Sequence, residues 1–160
     1  MWKEVTEKDQ ALLEKYLNGL KGVREHYRKR IDKGEINTDT IKAFIKGKDQ
    51  FEAWIYEGKG FSTGLCFCYK NGLGHHAMIH SWSIGKDKDI KNIIDIQSKK
   101  GVEYLKRHKG SIISHKKPRE SDLDGINSKI TEKIVLPILK KHFKEVTVGG
   151  EGERTIISKL

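Results

Sequence analysis

Residues 51–84, "FEAWIYEGKGFSTGLCFCYKNGLGHHAMIHSWSI", constrain this chain more than any other stretch. Three runs rich in aromatic and β-branched residues are separated by "GKG" and "NGLG", and each break is a turn signal. Breaks this short join antiparallel neighbours, so the stretch predicts a three-stranded meander. With "NGLG" as the second turn, Lys70 pairs with His75, Cys68 with Ala77 and Cys66 with Ile79. Partners across a ladder share a face, so both cysteines are expected to point away from His76 and His80. His75, His76 and His80 beside Cys66 and Cys68 have the composition of a metal site. This register separates them, and a shift of one residue would bring them together, so no metal is predicted.

The next elements decide the class. Ile90, Ile93, Ile94, Gln97, Gly101 and Leu105 line one face of a long helix, which "RHKG" closes with Gly110 as the C′ residue. "SIISH" then reads as a strand. Strand, helix and strand form a βαβ unit, and its right-handed crossover makes the two strands parallel. Upstream, "MWKEV" is a first strand, and Thr6 is an N-cap with Asp9 three residues on. Leu12, Leu13, Tyr16, Leu17 and Leu20 recur at helical spacing, Gly19 and Gly22 interrupt them, and Val23, Tyr27 and Ile31 continue in a second helix. Residues 34–50 are mixed, with a short helical or extended piece around "IKAFI".

Downstream of the polar "KKPRESDLDG", a closing helix starts near Ser121 or Asn127 and carries Ile126, Ile130, Ile134 and Ile138. Pro137 within it predicts a kink or a restart, because proline removes a backbone donor. "EVTVGGEGERTIISKL" gives two short strands around a glycine-rich turn. With no repeat, low-complexity tract or linker, residues 1–160 are expected to form one α/β domain. Its mixed sheet would hold an antiparallel meander followed by a βαβ unit, with helices on both faces.

Composition narrows the function classes. Apolar residues make up 36% and charged residues 34%, enough for a core under a heavily charged surface. No apolar run approaches the roughly 18 residues of a membrane span, and "MWKEVTEKDQ" lacks the pattern of a signal peptide. Cys66 and Cys68 are too close along one strand for an ordinary disulfide, which suggests a reduced, cytoplasmic protein. The net charge is +10. Residues 86–119 hold eleven Lys or Arg against four Asp or Glu, a balance of +7. Such a run is either a solvated face or the footprint of an anionic partner such as nucleic acid. There is no nuclease carboxylate cluster, nucleophile elbow or Walker loop.

The order of elements, with "KEVTEKDQALLEKYL" as first strand and helix, Gly64 in the meander and "NSKITEKIVLPILKKHFKEV" as closing helix, resembles the GNAT superfamily of acyltransferases. The resemblance covers nearly the whole chain and implies acyl transfer from acetyl-CoA or another acyl-CoA to an amine. In that family a turn of Gln or Arg, two residues, Gly, one residue and Gly or Ala binds the pyrophosphate on backbone N–H groups at a helix N-terminus. Here the turn falls on Lys86–Lys91. Lys86 takes the leading basic place, but Asp89 and Lys91 replace the two glycines, and Asp89 has the chemistry of an N-cap that occupies the donors itself. The family's late tyrosine, which protonates the departing thiolate, corresponds to Ile138, and its Gly-Phe pair to His142-Phe143.

By resemblance, Ile84, Gly85, Lys86, Lys88 and Asn127 form the expected cofactor set. His80, on the last meander strand beside Trp82, is the expected general base, since imidazole titrates near neutral pH. Ser81 and Glu52 are the other catalytic candidates. His115, Lys116, Lys117 and Arg119 follow the strand after the long helix, at the sheet edge where α/β ligands gather, and suit an anionic acceptor. Two readings stand side by side. One is an acyltransferase for a small or macromolecular amine on an anionic or nucleic-acid-associated acceptor. The other is a catalytically inactive module that binds nucleic acid or an acidic protein through its basic face.

Overall fold

The computed structural model describes residues 1–47, 50–86, 89–116, 131–150 and 154–160. Its elements run β1 (Trp2–Glu4), α1 (Gln10–Leu20), α2 (Glu25–Asp32), α3 (Thr38–Lys46), β2 (Glu52–Glu57), β3 (Phe61–Lys70), β4 (His75–Gly85), α4 (Ile90–Arg107), β5 (Ile112–Lys116), α5 (Leu136–His142), β6 (Glu145–Gly149) and β7 (Thr155–Lys159). Seven strands make one mixed sheet in the order β1-β2-β3-β4-β5-β7-β6. β4 and β5 run parallel, with His76 opposite Ile113 and Ala77 opposite Ser114. The meander, the βαβ unit and the terminal pair of strands thus match the sequence reading.

The described residues fall into two compact units: 1–47, 50–68 and 80–86 in the first, 69–79, 89–116, 131–150 and 154–160 in the second. In the first, Leu13, Tyr16 and Leu20 of α1 are buried with Ala53, Ile55, Cys66 and Trp82 of the strands. Trp82 is 2% exposed and fits because two glycines make room for it. A Cβ on Gly19 or on Gly64 would sit 2.2 Å from its indole ring. Gly19 thus lies inside α1 as a packing site, and the break between α1 and α2 falls around Gly22, whose N–H bonds Gly19 O at 3.1 Å. The piece around "IKAFI" is the helix α3, opened by a reciprocal capping box between Asn37 and Thr40.

In the second unit α4 buries Ile93, Ile94, Gln97, Gly101 and Leu105, and the face of β5 and β7 carrying Ile113, Ile156 and Ser158 is buried too. A π-helical turn, Thr131–Val135, leads into α5. Pro137 lies in the first turn of α5, directly after that π-helical turn, so its missing N–H falls where the winding changes and the helix neither stops nor restarts.

Three local expectations are corrected. The N-cap of α1 is Asp9, whose side chain accepts from Leu12 N at 3.1 Å, and Thr6 lies before the helix. Both residues can cap and they stand three apart, so the pattern fits either start. At the end of α4 the left-handed residue is Lys109, with φ 53°, while Gly110 is reserved for space: a Cβ there would meet the His76 ring at 2.6 Å. The third correction concerns the register of β4. Near the turn Tyr69 packs edge-on against His76, ring centroids 5.2 Å apart, as pairing of Lys70 with His75 requires. Farther along, Cys66 meets His80, not Ile79, with Sγ 3.6 Å from Nε2. Between those contacts β3 advances three residues and β4 four, the count of a β-bulge. The extra residue turns His80 onto the same face as Cys66.

Candidate active site

The candidate base, His80, is half-buried against the core of the first unit. Its Nδ1 lies 2.9 Å from the Tyr16 hydroxyl and its Nε2 3.6 Å from the Cys66 thiol. The Tyr16 and Tyr27 rings stand 5.6 and 6.1 Å from it, centroid to centroid. Burial, aided by the Arg24 charge, lowers the imidazole to about 4. Burial, with Cys66 beside it, raises Tyr16 well above the usual phenol value, so the phenol keeps its proton. A neutral imidazole has one donor and one acceptor nitrogen, and here each already has a partner. His80 is therefore held neutral and in one orientation, as a weak base with both nitrogens engaged.

Of the neighbouring candidates, Glu52 is tied as well. Glu52 is buried and accepts a hydrogen bond from its strand neighbour Trp54, Nε1 to Oε1 3.0 Å. Ser81 is half-buried on β4. Beside it, the Thr63 hydroxyl donates to Trp82 O at 2.8 Å, and Ser83 Oγ donates to Thr63 Oγ1 at 3.1 Å. At the end of β4, Gly85 has φ 135°, and a Cβ on it would lie 2.3 Å from Gly60 O. Lys86 N donates to that same carbonyl at 3.1 Å. The backbone of Gly85 and Lys86 thus closes on the β2–β3 turn, and the Lys86 amide is spent there. Ile84 packs against the core.

In the second unit, Asp89 caps α4: its carboxylate accepts from Asn92 N at 3.3 Å, and its carbonyl accepts from Ile93 N at 2.9 Å. The carboxylate occupies one of the four N-terminal donors, Asn92 N, and the Ile93 bond is the first regular bond of the helix. Helix geometry leaves the N–H groups of Ile90 and Lys91 without a partner inside α4. The place of the late tyrosine holds Ile138, buried and without a hydroxyl. At the end of β5, burial pushes His115 down to about 4, and exposed Lys116 donates to Thr155 Oγ1 at 2.7 Å. Lys88, Lys117, Arg119 and Asn127 lie outside the described residues.

Sequence reasoning missed Tyr16 and Cys66 as partners of His80, because both look like ordinary core residues. It also missed His142 on α5, whose Nε2 is 2.6 Å from Asp95 Oδ1 on α4. That hydrogen bond, with Lys99 adding to it, lowers Asp95 below the usual carboxylate range. Cys66 and Cys68 are free thiols. Among the described residues no group of three or more His, Cys, Asp or Glu side chains is placed to hold a metal ion, and no helix is long and apolar enough to cross a membrane.

No family model matches the chain, and no curated protein matches it. Solved structures do. An aminoglycoside 6'-acetyltransferase type Ii superposes with a TM-score of 0.62 at 10% identity, over 99% of this chain and 96% of that one. The chain has the GNAT fold. An aminoglycoside 6'-N-acetyltransferase from Enterococcus faecium is similar with a TM-score of 0.52 at 9% identity, again over 99% and 96% of the two chains. Identity this low carries the GNAT architecture and not the acceptor.

Proposed function

We propose that this protein transfers an acyl group from an acyl-CoA to an amine. The observation that carries this reading is the likeness to acetyltransferase structures along the whole chain, together with two α4 donors that the Asp89 cap leaves over. In this reading the amine nitrogen attacks the thioester carbonyl carbon, the C–S bond breaks, and an amide and the free thiol of CoA are the products. The amine turns acidic as its nitrogen bonds to carbon, so water takes the proton at that stage, and His80, with both nitrogens engaged, is not required as the base. No side chain at Ile138 protonates the thiolate, and water does so. Aminoglycosides, the acceptors named for the similar structures, are polycations. A chain with a net charge of +10 repels them, so the acceptor here is a neutral or anionic amine.

The Asp89 cap and the spent Lys86 amide favour a second reading, a GNAT-fold module that has lost its donor and binds an anionic partner. Calorimetric titration with acetyl-CoA, with desulfo-CoA as a non-reactive control, separates the two. Micromolar binding supports acyl transfer and leads to a screen of amines. No heat at millimolar cofactor eliminates a CoA donor and leaves the binding module.

A further inference from the structure

The C-terminal end of α4 carries both rings and cations, and neither core packing nor capping explains one of those cations, Lys109. In the second unit the His76 Nδ1 lies 2.8 Å from the Tyr104 hydroxyl, and both residues are buried. Around them, Tyr69 and His108 are half-buried. The Tyr69 ring is 5.2 Å from that of His76, and the His108 ring is 4.4 Å from that of Tyr104 and 5.8 Å from that of His76. The Arg107 guanidinium stands 5.9 Å from the Tyr104 ring centroid. Lys106, Arg107 and Lys109 are exposed at the end of α4 and just beyond it. Among the described residues neither the Lys106 nor the Lys109 ammonium has an ion-pair partner.

Cations in a last helical turn complement the helix dipole, and that alone would account for Lys106 and Arg107. It does not account for Lys109, which lies beyond the helix and holds φ 53°. Glycine is the residue that adopts this conformation without strain. A lysine there adds a cation next to His108 in the chain at a cost to the fold, and strain of this kind gathers at functional positions.

We propose that Lys106, Arg107 and Lys109, with the ring faces of Tyr69 and His108, form a binding surface for single-stranded nucleic acid. The cations hold successive phosphates, and the two half-buried rings offer stacking faces to unpaired bases. A duplex keeps its bases stacked inside, so it would use only the cations. An acidic peptide would likewise use the cations and leave the rings idle. The surface needs no acyl-CoA, and its test is independent of the acyl-transfer reading.

The test is fluorescence anisotropy of the full chain with a labelled single-stranded RNA of about 20 nucleotides, titrated over a range of salt. The same sequence as a duplex and a poly-glutamate peptide are the competitors. Single-stranded RNA is expected to bind with an affinity that falls linearly on a log–log salt plot. Lys106→Gln and Lys109→Gly should each reduce the slope by about one and weaken binding several-fold. Lys109→Gly discriminates most sharply, because relieving the backbone should leave the melting temperature the same or higher while binding drops. Tyr69→Leu should weaken the single strand and not the duplex. Absence of binding at low salt overturns the proposal. So does wild-type affinity in both lysine variants, or competition by duplex or poly-glutamate equal to that of the single strand.

Discussion

The Tyr16 hydroxyl lies 2.9 Å from His80 Nδ1, across 64 positions of sequence, in a core that lowers the imidazole to about 4. The pair makes stability depend on pH. Above pH 6.5, the ordinary histidine value, the imidazole is neutral in both folded and unfolded chains and contributes no pH dependence. Between 6.5 and about 4 the unfolded chain takes up a proton that the folded chain refuses, so stability falls as the pH falls through this window. Below about 4 both are protonated and the loss levels off. A shift of this size corresponds to at most about 3 kcal/mol, and partial exposure of His80 reduces it. His115, also lowered to about 4, adds a loss of the same sign. Urea unfolding at pH 7 and pH 4.5 should show the decline, and His80→Gln should make it shallower. Equal slopes in both proteins would refute the assignment.

Trp82 depends on the absence of two side chains. A methyl on Gly19 or on Gly64 would come within 2.2 Å of its indole, which neither α1 nor β3 can accommodate without moving. Gly64→Ala and Gly19→Ala should each cost about 1–3 kcal/mol, the usual range for overpacking. Trp82→Ala should cost about 3–5 kcal/mol through the cavity it leaves. Combined with Gly64→Ala, Trp82→Leu should recover part of the loss, because the smaller side chain vacates the space the methyl needs. Thermal melts of the wild type, of the single variants Gly64→Ala, Gly19→Ala, Trp82→Ala and Trp82→Leu, and of the double variant measure this. Additive losses in the double variant would show that the two positions do not compete for one space.

Asp89 sets stability against anion binding. As N-cap of α4 it accepts from Asn92 N, and losing such a cap to glycine costs a few tenths of a kcal/mol. The same change removes a negative charge from the helix N-terminus and frees a donor for phosphate. Asp89→Gly should therefore melt slightly lower and bind acetyl-CoA more tightly, by about tenfold if one charge-assisted hydrogen bond is gained. Asp89→Asn keeps a cap and should fall between. An unchanged affinity in Asp89→Gly, with the helix intact by circular dichroism, would mean that the carboxylate is not what limits the donor.

The elements themselves were legible because each carries its own period: alternating aromatic and β-branched residues in β2 to β4, apolar residues three and four apart in α1 and α4. The cap at Asp89 was legible too, since it needs only its own helix. The surroundings of His80 were not. They depend on one extra residue in β4, which turns His80 toward Cys66, and on a phenol supplied from α1. A turn such as "NGLG" sets the register beside it, but a bulge farther along leaves no mark in a pattern where both faces are apolar, and Phe67, Cys66 and Leu65 are all buried. The exchange of roles between Lys109 and Gly110 was hidden for a similar reason. It is decided by the His76 ring, which reaches Gly110 from another strand.

That exchange gives the last prediction. Gly110 N donates to Leu105 O at 2.8 Å, and a Cβ on Gly110 would lie 2.6 and 2.9 Å from atoms of the His76 ring and 2.9 Å from the Leu105 side chain. The His76 ring cannot retreat freely, because its Nδ1 is hydrogen-bonded to the buried Tyr104 hydroxyl. Gly110→Ala should therefore destabilise by about 1–3 kcal/mol, although its φ is not left-handed and alanine suits its backbone. Lys109→Gly should do the reverse and stabilise by up to about 1 kcal/mol, because it relieves a left-handed lysine. If "RHKG" were an ordinary glycine-closed helix end, Gly110→Ala would still destabilise but the sign for Lys109→Gly would change: it would be neutral or destabilising through added chain entropy. Equilibrium unfolding of the two single variants distinguishes the cases, and a His76→Ala background should remove most of the cost of Gly110→Ala.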